Sequence, residues 1–286
     1  MEHIVVTVVR DEENFISGLI ESMVNQTILP KKWIFVDNYS EDGTVEIIRR
    51  AVSEFAWIDL IERVGSERRS RGENIAKLFS MGIDSCNENW SYCSKIDADM
   101  VLPRDYFEEI FRYFAKEREL GIASGTCFLV KKGKKVTERV VDDHTRGGLK
   151  TYRFECFSDI DGVPPVDGWD GIDNAKAQMA GWRTRNFSSP MVHHRRETGA
   201  QMGRIQSSFE IGARSYFMGY SVLFMAAKCG HQALAMRRPI SAFTMILGFS
   251  YNVLRRKNKY GESEVIKFIR KNRMNMIRDT IFGRFS

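Results

Sequence analysis

The 286-residue chain is 43% apolar and 28% charged, an ordinary globular balance that allows one large α/β domain, alone or with an appendage. Its five cysteines show no C-x-x-C pair or zinc-ligand spacing, which argues against a disulfide framework and for a reducing, cytosolic setting; the N-terminus lacks the basic and longer apolar regions of a signal peptide. The formal charge of +6 is split unevenly, with 17 Lys/Arg against 5 Asp/Glu from Arg195 onward and 26 against 32 before it, so the two parts should meet different partners.

In chain order, the first hundred residues alternate β-branched runs with amphipathic stretches, the pattern of a parallel sheet wrapped by helices. Strands are predicted over 4–9, 33–36, 58–61 and 92–96, and helices over 11–24, from Val45 through Val52, and over about 72–84. Past Pro103 a helix carries Tyr106, Phe107, Ile110, Phe111 and Phe114 on one side, and 122–130 reads as a further strand. The charged segment 131–143 suits a hairpin or loop. An irregular stretch over 159–171 precedes a helix over about 172–180, which Gly181 would cap.

The fourth strand ends directly at Asp97-Ala98-Asp99. Open α/β sheets bind ligands beyond the carboxyl ends of their strands. Two carboxylates on a short loop there suit a divalent cation such as Mg²⁺ or Mn²⁺, which takes oxygen ligands and keeps positions open for phosphate. A triplet this short also fits an ordinary polar turn.

Four blocks add context: Val5 to Glu13, Asn25-Gln26-Thr27, Ile34 to Thr44, and Lys95 to Asp99. In this order they resemble family 2 glycosyltransferases of the GT-A fold, over residues 4–126 and more loosely to residue 199. The resemblance implies an α/β nucleotide-diphospho-sugar transferase fold, a Rossmann-like mixed, mostly parallel sheet flanked by helices. The expected domains are a catalytic one over 1–200 and a basic, mainly helical C-terminal extension over 201–286.

The same resemblance implies roles for single residues. Asp37 would accept from the nucleobase N3–H, with Asn38 and Ser40 shaping the same turn, and Thr7, Arg10 and Glu12 would meet the base and ribose. Arg71 would reach base or phosphate, or simply lie at a solvated helix start. Asp97 and Ala98 would touch the nucleotide sugar. Asp97, Asp99 and His194 would hold the metal, with Arg196 on the diphosphate. An inverting transfer needs a carboxylate to take the acceptor's proton. Relatives carry a Glu-Asp pair where this chain has Trp169-Asp170, so Asp170 is the expected base and Asp173 the alternative, unless these acids only cap a helix.

The implied donor is a nucleotide-diphosphate sugar, with a UDP-sugar favoured, and the acceptor a glycan or polyprenyl-linked glycan. Beyond residue 203, apolar runs over 216–227 and 239–254 are shorter than the ~20 residues that cross a bilayer. With the Arg255-Arg256-Lys257 cluster they suit helices lying on an anionic membrane surface on its cytoplasmic side, or helices packed on the catalytic domain. Nucleic acid is not expected as a partner, because the usual short signatures are missing. Two other functions remain consistent with an acidic nucleotide site: a sugar-phosphate nucleotidyltransferase, although residues 7–14 lack a Gly-rich phosphate loop, and a non-catalytic nucleotide-sugar-binding protein.

Overall fold

A computed structural model describes residues 2–63, 72–138, 142–196 and 203–282. The chain divides into two compact units, Met1–Glu197 and Thr198–Ser286.

The first unit opens with β1 (His3–Val9), α1 (Ile16–Val24), β2 (Lys32–Asp37), α2 (Thr44–Glu54), β3 (Ile58–Ile61), α3 (Glu73–Asp84) and β4 (Tyr92–Ile96). The strands pair in parallel in the order β3-β2-β1-β4. Successive side chains of a strand face opposite sides, and both sides here are covered. Val5, Val9, Trp33 and Phe35 pack with Ile16, Leu19, Met23 and Ile48. Ile4, Val6, Ile34 and Val36 pack with Ala76, Leu78, Phe79 and Ile83. Burial on both sides explains why these strands read as nearly continuous apolar runs.

The chain continues through β5 (Met100–Val101), α4 (Tyr106–Lys116), β6 (Leu120–Lys131), β7 (Lys134–Glu138), β8 (Leu149–Arg153), α5 (Phe154–Asp159), α6 (Trp169–Met179) and β9 (Arg183–His194). Beyond β4 the sheet runs β8-β6-β9-β5, with β7 paired to β6. β8 is antiparallel to both β4 and β6, and β9 is parallel to β6. The sheet is therefore mixed and flanked by helices, and β1, β2, β4, β6 and β9 all run in one direction.

The first helix starts at Ile16 rather than near residue 11. Asp11 has a positive φ of 54°, and the backbone N–H groups of Phe15 and Ile16 both donate to Glu12 O at 2.9 Å. α6 starts at Trp169, three residues before the expected start, because Gly168 at φ 80° serves as its N-cap.

The second unit consists, among the described residues, of α7 (Arg204–Phe217), α8 (Val222–Leu234), α9 (Pro239–Leu254) and α10 (Ser263–Phe282). The apolar run over 216–227 is broken by Gly219 at φ 78° and by Ser221, whose side chain caps α8 by accepting from Phe224 N at 3.1 Å. Gly212 and Gly248 let α7 and α9 touch backbone to backbone, since a Cβ on either would strike the carbonyl of Met245 or Phe209. Met225, Cys229, Ala242, Met245 and Phe249 form the core of this unit. Among the described residues no helix is long and apolar enough to cross a membrane.

Candidate active site

The shared direction of β1, β2, β4 and β9 brings four loops to one edge of the sheet, those beginning at Arg10, Asn38, Asp97 and Arg195. The first two are stitched together. Ser40 Oγ accepts from Asp11 N at 3.0 Å, Asp11 Oδ1 from Glu41 N at 2.9 Å, Thr44 Oγ1 from Glu12 N at 2.7 Å, and Glu13 Oε2 from Gly43 N at 2.9 Å. Asp37 is buried and both its oxygens accept from Ser40 N. Asn38 Oδ1 accepts from Arg63 Nη1 at 3.0 Å and Asn74 Nδ2 at 3.3 Å, and Arg63 lies 4.6 Å over the Tyr39 ring. These bonds tie the loop after β1 to the acidic turn after β2. Arg10 stands beside it, half-buried, 3.8 Å from the Asp11 carboxylate.

Asp97 and Asp99 part company after β4. Asp97 is half-exposed and ion-paired to the buried Lys95 Nζ. Gly148 lies against it, where any Cβ would collide with the carboxylate. Asp99 turns inward: Oδ2 accepts from Arg196 Nε at 3.0 Å and lies 3.6 Å from His194 Nε2. Arg196 also donates to Glu12 Oε1 at 2.7 Å, and His194 Nδ1 bonds Glu138 Oε2 at 2.8 Å, with Arg146 3.1 Å away on the same oxygen. A single connected network therefore joins the ends of β1, β4 and β9.

The electrostatics follow from these contacts. Burial raises the Asp99 pKa, but His194 and Arg196 outweigh it and leave it below the ordinary carboxylate value. Glu12 is pushed up to about 7, by burial first, against the pull of Arg196 and with help from Asp99 and Asp97. Burial lowers the His194 pKa, yet its bonds to Asp99 and Glu138 prevail and bring it to about 9.

Among the described residues no group of three or more His, Cys, Asp or Glu forms a metal cage of its own. Mg²⁺ and Mn²⁺ at phosphate-binding sites are commonly held by one or two protein ligands plus substrate oxygens. Asp99 and His194 fit that role, because one imidazole nitrogen faces the carboxylate while Glu138 fixes the other. Glu12 Oε2 adds a buried acceptor with no hydrogen-bond partner among the described residues. A cation at His194 must displace the imidazole proton. Mn²⁺ affinity should therefore rise about tenfold per pH unit from neutrality toward pH 9, levelling above it. Manganese titrations at several pH values would show this, and a flat profile would rule out ligation by His194.

Three expected site residues turn their side chains into the core. Thr7 is fully buried, faces the side of the sheet shared by Val5 and Val9, and accepts from Trp33 Nε1 at 3.0 Å, so its side chain belongs to the core. The Ala98 methyl is buried with Ile96 and Met100, which anchors the triplet and leaves only its backbone for a ligand. Asp173 is fully buried, with its carboxylate held by Lys150 Nζ at 2.5 and 2.6 Å and by Tyr152 OH at 2.6 Å. It cannot reach an acceptor. Removing one partner of a buried ion pair leaves the other charge uncompensated, so Asp173→Asn should destabilise the first unit by about 3–5 kcal/mol, measurable by denaturant unfolding.

Asp170 remains half-buried in the first turn of α6, whose N-cap is Gly168 and has no side-chain cap bond. Its carboxylate lies over Gly147, and its carbonyl accepts from Lys150 Nζ and Asn174 Nδ2, each at 2.7 Å. Trp169 is buried, its ring 5.6 Å from Lys95 Nζ and 5.3 Å from Lys150 Nζ. Arg71 lies outside the described residues. Sequence reasoning missed Lys95, Glu138 and Arg146. An apolar strand interrupted by Lys95 two residues before Asp97 was the one local signal available.

The pattern of glycosyl transferase family 2 matches residues 4–160. No curated protein gives a significant match. Among solved structures, the chain is similar to the mannosyltransferase PcManGT from Pyrobaculum calidifontis in complex with GDP-Man and Mn²⁺, with TM-score 0.59 and 16% identity, covering 94% of this chain and 78% of that one. It is also similar to S. aureus TarS 1–349 in complex with UDP-GlcNAc, with TM-score 0.56, 14% identity and coverage of 74% and 65%. GalNAc-T7 with UDP, GalNAc and Mn²⁺ gives TM-score 0.57 at 10% identity, covering 89% of this chain and 57% of that one. The chain spans less than two thirds of the TarS chains it matches, 60% in the UDP complex and 65% in the UDP-GlcNAc complex. These likenesses establish the GT-A fold. With a family match over more than half its length, the chain belongs to glycosyl transferase family 2.

Proposed function

We propose that the chain moves a sugar from a nucleotide-diphosphate donor, UDP-linked in preference, to a hydroxyl of a glycan or polyprenyl-linked glycan, with inversion at the anomeric carbon. The work belongs to cell-surface polysaccharide, glycolipid or lipid-linked glycan synthesis, at the cytoplasmic face of a membrane. The observation that carries the reading is the convergence of Glu12, Asp99, His194 and Arg196 where β1, β4 and β9 end.

Asp37, oriented by Ser40 N, accepts from the base, while Arg10 and Glu12 meet the base and ribose. Glu12 Oε2 offers a ribose hydroxyl an acceptor that the protein leaves open. Arg196 supplies a guanidinium to the diphosphate, for which its planar fork is suited. A divalent ion bound by Asp99 and His194, with Asp97 at its margin, would offset the charge that grows on the departing nucleoside diphosphate. Asp170 takes the acceptor hydroxyl's proton as that oxygen bonds to the anomeric carbon and the bond to the diphosphate oxygen breaks. One displacement of this kind inverts the centre.

The test is a panel of UDP- and GDP-sugars with Mn²⁺ or Mg²⁺, read first as thermal stabilisation and then, for donors that bind, as product configuration by NMR. UDP-sugars should give the largest shifts and a product of opposite anomeric configuration. A panel in which no nucleotide sugar stabilises the protein would end the donor assignment, and a retained configuration would end the single-displacement mechanism.

A further inference from the structure

The outward face of α9 has no covering in the second unit. This helix has 16 residues, about 24 Å in length. Ala242, Met245 and Phe249 pack with Met225 and Cys229 of α8 and with Ile211 and Tyr216 of α7. On the other side Ile240, Phe243, Leu247, Tyr251 and Leu254 recur every three or four residues and are 67%, 61%, 44%, 45% and 83% exposed. A helix facing water normally turns polar residues to it, and an apolar stripe along its whole length marks an interaction surface.

Charge identifies the occupant. Between Ile211 and Gly261 the chain has eight Lys/Arg and no Asp or Glu. Arg237 and Arg238 precede α9, and Arg255, Arg256 and Lys257 follow it, all exposed. None of these five is in an ion pair with an acid among the described residues. The leading pair stands at the helix N-terminus, where the dipole disfavours cations, so helix stability does not account for it. A second copy of the chain docked face to face would bring these like charges together, whereas an anionic surface would neutralise them.

We propose that α9 lies in the headgroup layer of an anionic bilayer, with Ile240, Phe243, Leu247, Tyr251 and Leu254 entering the acyl boundary and the flanking cations on lipid phosphates. This specifies the membrane partner of the function proposed above and rests on the peripheral part of that reading, not on the chemistry at Asp99.

The experiment sediments the full chain with vesicles of phosphatidylcholine alone or with about 30% phosphatidylglycerol at low salt, a content that gives a strong surface potential. Binding is expected only to the anionic vesicles. Phe243→Asp with Leu247→Asp should weaken it at least about tenfold, and Arg255→Gln with Arg256→Gln and Lys257→Gln should weaken it about tenfold and reduce its salt dependence. Both variants change exposed positions, and circular dichroism checks that they fold. Wild-type protein left in the supernatant, or both variants sedimenting as wild type does, would overturn the proposal. So would a dimer that the Phe243/Leu247 variant dissolves while vesicles remain unbound, which would give the face to a second copy. Nucleotide-sugar stabilisation measured on the same samples separates the two readings: its absence with vesicle binding intact removes only the transferase, and its presence without vesicle binding removes only the membrane surface.

Discussion

Asp99→Asn is expected to cut donor turnover by at least about 10²-fold while leaving the fold in place, because a group aimed at the developing leaving-group charge is worth several kcal/mol in the transition state. Asparagine keeps an oxygen that accepts from Arg196 Nε, so the link from β4 to Arg196 persists. What disappears is the negative charge that, with Glu138, holds His194 in position and would bind the cation. Nucleoside diphosphate release in manganese measures the effect, with thermal unfolding as the control for folding. Turnover near the wild-type rate in a well-folded Asp99→Asn protein would remove Asp99 from the reaction.

The second large effect belongs to Asp170→Asn. Losing a general base costs roughly 10²–10⁴-fold in the transfer step, and an interaction made only in the transition state lowers kcat without weakening donor binding. Transfer to acceptor should therefore fall by that factor while nucleotide-sugar affinity stays within about twofold. Asp173→Asn provides the contrast, since its cost appears as lost stability through Lys150 and Tyr152. If Asp170→Asn leaves transfer intact, the base is another group and the non-catalytic reading gains no support from this position.

The first half of the fold was legible because its sheet is buried on both sides by local apolar runs. The strands over 58–61 and 92–96 have the bounds expected from the sequence. β8, and β9 apart from its end before His193, were hidden for a physical reason. β8 is buried on both faces, and Lys150 on one and Thr151 on the other have partners, Asp173 and Ser94, that are distant in sequence, so polarity concealed a core strand. β9 alternates exposed Arg183 and Arg185 with buried Thr184 and Asn186, and only Phe187, Val192 and a few neighbours give it an apolar signal.

The candidate site shows the same division. The positions of Asp37, Asp97 and Asp99, at or just past the ends of recognisable strands, were readable. Glu138 was not, because nothing local separates it from the other charges in 131–143. Its position is fixed by pairing: it lies opposite Cys127 on β6, and across β6 Val192 also pairs with Cys127, two residues before His194. Glu138 and His194 therefore lie on one face of the sheet, on the two strands that pair with β6. Thr7 and Ala98 sit inside well-recognised motifs, but the alternation of β1 and the packing of the loop turn their side chains to the core.

The central claim is that the network at the ends of β1, β4 and β9 holds a nucleoside diphosphate together with a divalent cation. Calorimetric titration of UDP into the wild-type chain and into Asp99→Asn, each with Mn²⁺ and with a chelator, tests it most directly. The wild type should bind at least about tenfold more tightly with Mn²⁺ than with chelator, and the variant should lose that difference, since each lost factor of ten corresponds to roughly 1.4 kcal/mol of metal-mediated attraction. Equal UDP affinity in all four titrations would contradict it.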